Sequence, residues 1–199
     1  MDTHLEPFKS YLQQKVSITD EQFYHIAVHL KVKTFDKNEM ILMKGDISSQ
    51  GYFVLSGLLR SYSIDSKGKT HIIQFAPEQW WLSERNGMLF NEPSDFFIDA
   101  TELTKVVIVH KDFMNEAAKH VPCINDLNHT MLNNAIRFMQ KRINMLLSAT
   151  AEERYLNFIT LYPNLTLRVP QWMIASYLGI TPESLSRVRK DLAHKHFRT

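Results

Sequence analysis

Cysteine is nearly missing from this chain: Cys123 is the only one in 199 residues. A single thiol excludes an internal disulfide framework, a cysteine-ligated iron–sulfur cluster and a cysteine-rich zinc site, and it fits a reducing compartment. Glycine is scarce as well, at six residues, and no phosphate loop, dinucleotide fingerprint or nucleophile elbow is built around any of them. Long apolar runs are missing. The longest aliphatic run, Val106 to Val109, is far too short to span a bilayer, so no membrane partner is expected. The first thirty residues are polar and mixed in charge, without the apolar stretch and cleavage site of a secretion signal, so a cytoplasmic location is expected. Low-complexity tracts and internal repeats are absent too.

Neither sign of charge dominates, with 23 Lys/Arg against 21 Asp/Glu. The balance is uneven along the chain. Residues 151–199 hold seven basic and four acidic residues, about +3, whereas residues 1–150 come to about −1. Attraction to phosphate needs that local placement rather than a high total.

Residues 5–30 read as helical, with Leu5, Phe8 and Leu12 on one face and a second start at Thr19-Asp20-Glu21. From Lys31 the pattern changes. Short apolar stretches (Glu39–Met43, Gly51–Leu55, Leu58–Ile64, Thr70–Phe75, Phe96–Ala100, Lys105–Val109) alternate with turn signals, several of them at Gly45, Gly51, Gly57 and Gly68. Strands this short and closely spaced predict an antiparallel sandwich or barrel. Residues 122–147 then form a helical stretch with no internal Gly or Pro. Leu132, Ile136, Met139, Ile143 and Leu146 make a heptad stripe, and Leu127, Met131, Ala135, Phe138 and Met145 a second apolar face. A helix apolar on two sides packs against two things. One is the chain's own β part and the other a second copy of the same helix, unless both faces serve one core.

Residues 169–190 carry the most informative local pattern, a helix-turn-helix. Pro170 opens a helix with Ile174, Ala175 and Leu178 on its apolar edge. Gly179 stands where a left-handed residue ends a helix, and Ile180 plugs the corner. Thr181 is placed to cap a second helix that Pro182 begins. Leu185, Val188 and Leu192 give that helix one buried face, with Ser184 and Arg187 turned away and Glu183 one turn before Arg187. An ordinary αα-corner shares part of this pattern. The basic character of the second helix favours DNA, with Thr181, Glu183, Ser184, Ser186, Arg187, Arg189 and Lys190 as the candidate contacts.

The order of β roll, long helix and helix-turn-helix resembles the Crp/Fnr family of bacterial transcription regulators over nearly the whole chain. The matching residues are Lys44-Gly45-Asp46, then Tyr52-Phe-Val-Leu-Ser-Gly57-Leu-Leu-Arg60-Ser-Tyr62. They continue through Asp65, Gly68, Lys69, Phe75-Ala-Pro77-Glu and the closing stretch from Ile98 to Val109. The resemblance implies an α+β protein in three parts: a cyclic-nucleotide-binding-like antiparallel roll over 1–121, a dimerisation helix over 122–147, and a helix-turn-helix domain of the winged type over 148–199. Relatives often carry a β wing after the recognition helix. With the chain ending at Thr199, Arg168, Lys195 and Arg198 are expected to supply phosphate contacts in its place. A homodimer on a palindromic duplex is implied, with RNA polymerase as a further candidate partner.

The resemblance fails at the effector. The family's nucleotide pocket carries a Gly-Glu pair and, about ten residues later, an Arg-Ser/Thr-Ala triplet. Here those positions read Ser83-Glu84, with Arg85 beside them, and then Ser94-Asp95-Phe96. Without the arginine, and with Asp95 facing it, a cyclic phosphate gains nothing. Regulation by cyclic AMP is therefore not expected. Trp80, Trp81, Phe96 and Phe97 either fill the roll or line an apolar pocket.

No cofactor and no metal are expected, and the effector stays unidentified. His71 and His110 are weak haem candidates. His25 and His29, at i and i+4, lack a third ligand, and His194 and His196 extend a basic edge. Cys123, at a helix start, is a packed side chain or a redox-sensitive thiol. No catalytic constellation appears, so an enzyme is not expected. The competing reading is a cyclic-nucleotide or other small-ligand sensing module that acts through protein partners.

Overall fold

The computed structural model describes residues 3–196. The chain folds as two compact units. One takes in the chain up to Ser63 together with Gln74–Asn133, and the other takes in Ile64–Ile73 and the chain from Asn134 onward.

The first unit opens with two helices, α1 (Glu6–Gln13) and α2 (Asp20–Ala27). The Thr19 hydroxyl accepts the Gln22 amide while the Gln22 side chain accepts the Thr19 amide, a reciprocal cap that fixes where α2 starts. Eight strands follow: β1 (Lys31–Phe35), β2 (Met40–Leu42), β3 (Gln50–Ser56), β4 (Leu59–Ile64), β5 (Thr70–Ala76), β6 (Trp81–Ser83), β7 (Phe97–Ala100) and β8 (Thr104–His110). They form two four-stranded sheets, ordered β1-β8-β3-β6 and β2-β7-β4-β5. The β1/β8, β2/β7, β3/β6, β3/β8 and β4/β7 pairs are antiparallel.

The central strands of the first sheet are buried on both faces, because side chains alternate along a strand. Tyr52 and Val54 of β3 and Val106 of β8 join a core with Leu59, Leu82 and Ile98. Phe53, Val107 and Val109 face the other way. They pack with Phe8 and Leu12 of α1, Phe23 and Ile26 of α2, Phe113 and Ala117 of α3 (Phe113–His120), and Ile124 and Leu127 at the start of α4 (Ile124–Ser148).

The six strands predicted from sequence all form, within a residue or two of their expected ends. Two strands were not predicted. In β1 only Phe35 is fully buried, so there is no apolar alternation to read. β6 is three residues long. Helix α3 was not predicted either.

The second unit holds the tip of the β4–β5 hairpin, the rest of α4, and α5 (Ala151–Leu161), α6 (Leu165–Arg168), α7 (Gln171–Leu178) and α8 (Pro182–His196). The compact units run across the three segments expected from sequence, since the division falls within α4 and the hairpin tip goes with the C-terminal helices. Among the described residues no helix is long and apolar enough to cross a membrane.

Candidate nucleic-acid interface

Helices α7 and α8 are set by local chemistry. Pro170, extended at φ −60° and ψ 150°, is the residue before α7. Gly179 ends the helix in the left-handed region at φ 67°, where its amide and that of Ile180 reach the carbonyls of Ser176 and Ala175. The Thr181 hydroxyl accepts the Ser184 amide at 3.2 Å, and the Thr181 carbonyl accepts the Leu185 amide at 3.0 Å, which starts α8. Leu185 is fully buried, as are Ile174, Ala175 and Leu178, so the second helix sits against the first through a small residue and three aliphatic ones. Phe158 and Tyr162 of α5 and its cap interlock with Tyr177 at ring separations of 5.4–5.7 Å and complete this core.

What α8 leaves outside is polar, with more basic than acidic side chains. At 100° per residue, Glu183, Ser186, Arg187 and Lys190 form one stripe opposite Leu185, and all four are exposed. Thr181 is exposed at the head of that stripe. Arg189 is exposed too, but its place on the helix wheel is beside Leu185, away from the stripe. Ser184 does not turn outward as expected. It is half-buried, and its hydroxyl accepts a 3.2 Å bond from Thr181, because it lies on the flank that joins the cap.

The Glu183 carboxyl is held below the usual carboxylate range, chiefly by its own backbone amide in the first helical turn. The Thr181 hydroxyl and the Arg187 charge add to this. Val188 and Leu192 are half-buried.

Of the residues expected to contact phosphate, Lys195 is paired with Glu152 at 2.7 and 2.9 Å. Arg168 is half-buried. Arg198 lies outside the described residues, and His194 is exposed.

The heptad stripe on α4 is uncovered in the monomer. Ile136 is 58% exposed, Met139 44%, Ile143 57% and Leu146 36%, with Leu132 half-buried. The opposite side of the same helix is used: Leu127 lies in the core of the first unit, and Met131 packs on it.

The degenerate effector positions are occupied by their own turn. Glu84 is buried, and its carboxylate accepts the amides of Asn86 at 3.1 Å and Gly87 at 2.8 Å, capping a π-helical stretch over Asn86–Phe90. Gly87 lies so close to Ser48 that a side chain there would overlap the Ser48 backbone. Ser94 is buried. Its hydroxyl bonds both the amide and the carbonyl of Phe96, and its backbone is clamped between Gly45 and Asp46. Ser83, Arg85 and Asp95 are exposed and do not converge with Glu84.

A cavity of about 380 Å³ adjoins this turn, lined by Ile41, Leu42, Asp46, Ser48 and Tyr52 among others. The aromatics are engaged in packing. Trp81 meets Phe8 and Phe53 edge to face and donates to the Tyr11 hydroxyl at 3.2 Å, and Phe97 stacks on Tyr62 at 5.3 Å.

The metal candidates do not assemble. Among the described residues no group of three or more His, Cys, Asp or Glu is placed to hold a metal ion. His25 stacks flat on His120 at 5.1 Å, His71 bonds Asp65, and His110 bonds Asp112. The Cys123 thiol lies 3.6 Å from the Ser17 carbonyl.

Sequence reasoning missed two arrangements. Arg60 on β4 and Asp99 on β7 form a bidentate pair, 2.7 Å at both contacts and nearly buried, with the guanidinium over the Tyr62 ring. Ser176 and Arg142 join the β4–β5 hairpin to α7. Neither carries a sequence signal, because the partners are 35 to 106 residues apart.

The chain thus combines a β roll, a long helix with an exposed apolar stripe and a helix-turn-helix. The sequence pattern of the family described as "Cyclic nucleotide-binding domain" matches residues 32–120. The chain is 26% identical over 170 residues to the "Anaerobic regulatory protein" of Aggregatibacter actinomycetemcomitans, covering 78% of this chain and 64% of that one. It is 27% identical over 167 residues to the "Transcriptional activator protein Anr" of Pseudomonas protegens, covering 76% and 66%. The matched stretch thus spans 60–64% of the first such relatives, under two thirds of their length. The fold is that of FixK2 from Bradyrhizobium japonicum, with a TM-score of 0.72 and 23% identity over 84% of this chain and 86% of that one. It is also that of CooA from Carboxydothermus hydrogenoformans, with a TM-score of 0.68 and 16% identity over 98% and 86%. Over the matched stretches the chain is similar to proteins named as regulators, and its fold is shared with FixK2 and CooA.

Proposed function

We propose that the protein is a cytoplasmic, homodimeric, sequence-specific DNA-binding transcription regulator that works without cyclic AMP. The observation that carries this reading is the exposed stripe Glu183, Ser186, Arg187 and Lys190 on a helix seated by Leu185 and capped by Thr181. A capped helix whose outer face is basic and polar suits a major groove, where arginine reads guanine and a carboxylate accepts from cytosine. The uncovered stripe Ile136, Met139, Ile143 and Leu146 supports a dimer through α4. Two such subunits present two recognition helices about 34–36 Å apart, one turn of B-DNA, which calls for a palindromic operator. RNA polymerase is the partner through which a regulator on such a site acts.

The test is selection of bound duplexes from a random pool, with affinity then measured over a range of salt. A two-fold symmetric site bound with a steep salt dependence is expected. Absence of salt-dependent binding to any duplex, together with capture of a protein partner by the same surface, would overturn the reading in favour of a sensing module acting through proteins.

A further inference from the structure

The β4–β5 hairpin ends in a tip that its own sequence makes rigid. The Asp65 carboxylate accepts the amides of Lys67 at 2.9 Å and Lys69 at 3.0 Å and bonds the His71 ring at 2.8 Å. The Asp65 carbonyl accepts the Gly68 amide, and the Asp65 amide donates to the Lys69 carbonyl. Lys67 and Lys69 are left exposed, and among the described residues neither ammonium is in an ion pair. Asp65 is the tip's one acid, and its charge is met by two amides and an imidazole.

The strand leaving this tip is fastened to the first helix of the helix-turn-helix. The Ser176 hydroxyl donates to the Thr70 carbonyl at 2.8 Å and accepts the Ile72 amide at 3.0 Å, taking the place of a neighbouring strand. Arg142 of α4 donates to the carbonyls of Ile72 at 3.0 Å and Tyr177 at 3.1 Å, with its guanidinium 3.7 Å from the centre of the Tyr177 ring. Lys69 and Thr70 then line a cavity of about 260 Å³ together with Trp172, Thr181 and Pro182. Thr181 and Pro182 are the start of α8, the end that a recognition helix turns toward base edges while the first helix crosses the backbone. A duplex entered by α8 at that end would bring its flanking phosphates beside the cavity rim that Lys69 lines.

We propose that Lys67 and Lys69 form a second DNA-contact surface, a basic hairpin that binds backbone phosphate beside the recognition helix and takes no part in base choice. The proposal rests on the DNA-reading function proposed above. Phosphate contacts fix the position of a protein on the duplex and carry no sequence information. Each one released from its counterion adds about 0.9 to the slope of log affinity against log salt.

The experiment compares the full chain with K67A/K69A, K67R/K69R and a distant control, K44A, by fluorescence anisotropy on the selected operator and on an unrelated duplex across a salt series. K67A/K69A is expected to weaken both duplexes by the same factor and to flatten the salt slope by about 0.9 for each lysine in contact. K67R/K69R and K44A are expected to keep the wild-type slope, and circular dichroism should report the same fold for all four proteins. A wild-type slope in K67A/K69A would overturn this proposal and leave the DNA-reading function standing. A changed base preference would overturn it too, since the hairpin would then read sequence. Failure of the wild-type protein to bind any duplex would remove the DNA-reading function itself, and this surface with it.

Discussion

The Glu84 carboxylate accepts the backbone amide of Gly87 at 2.8 Å, and this bond turns the one retained residue of the family's nucleotide pattern inward. Its second oxygen takes the Asn86 amide. A ribose hydroxyl would have to share these oxygens with two amides in a buried turn, and the position of the pattern's phosphate arginine holds Ser94, buried and bonded to Phe96. Cyclic AMP and cyclic GMP are therefore expected not to bind, with no heat of binding in titration calorimetry at micromolar protein. A micromolar, stoichiometric isotherm would overturn this and point to Arg85 as the phosphate ligand.

The same bonds make Glu84 a stability residue. E84A leaves two amides without their acceptor in a buried turn, which costs about 1–3 kcal/mol for an unsatisfied buried group. Chemical denaturation should show that loss with an unchanged slope. A wild-type midpoint would mean that the turn does not depend on the carboxylate.

Arg60 and Asp99 hold β4 and β7 together through two 2.7 Å contacts at nearly buried positions. Removing one partner strands the other charge, so D99A is expected to lose about 3–5 kcal/mol of unfolding free energy, whereas R60M/D99L is expected to recover most of it. If D99A unfolds at the wild-type midpoint, the pair contributes nothing to the fold.

How far the sequence reveals these features depends on range. The helix-turn-helix is legible because its signals are local: Pro170 before one helix, Gly179 in the left-handed turn, Thr181-Pro182 at the next start. Strands β3 and β8 are legible because both of their faces are apolar, but β1 hides because most of its side chains face solvent. The stripe on α4 is readable as a period, and the exposure of Ile136 and Ile143 follows from it. The Arg60–Asp99 pair and the Ser176 contacts were invisible. Each joins residues that only the finished topology brings together, and a lone Arg, Asp or Ser has no spacing to betray it. The use of Glu84 was hidden for a related reason: the pattern preserves the residue while the local turn redirects its carboxylate.

The exposed stripe on α4 is expected to be the subunit interface. I136D/M139D places two like charges on it from each subunit, and burying them unpaired in a dimer is prohibitive. Light scattering should report about twice the monomer mass for the wild type at micromolar concentration and a folded monomer for the variant. A wild-type protein that is monomeric throughout would overturn the dimer. A dimeric variant would place the interface elsewhere.

Arg187 and Lys190 share the exposed stripe of α8 but should do different work. Arg187 lies one turn after Glu183, whose carboxyl is held below the usual carboxylate range chiefly by its own backbone amide at the helix start. A fixed carboxylate and a guanidinium near the groove-entering end of the helix suit direct base readout, with arginine worth about 1–3 kcal/mol of discrimination at guanine. Lys190 lies three residues beyond Arg187, just under one turn further from the groove-entering end of the helix. R187A is therefore expected to flatten the preference at one base pair per half-site, cutting affinity by about 5- to 150-fold for each half-site while changing non-specific binding far less. K190A is expected to weaken operator and unrelated duplex alike and to reduce the salt slope by about 0.9 per subunit. Affinities for the selected operator and its single-base variants, measured for both proteins over a salt series, separate the two roles. If R187A retains the full base preference, α8 is not the reading helix. If K190A alters preference at one base pair, the assignments of reader and backbone contact must be exchanged.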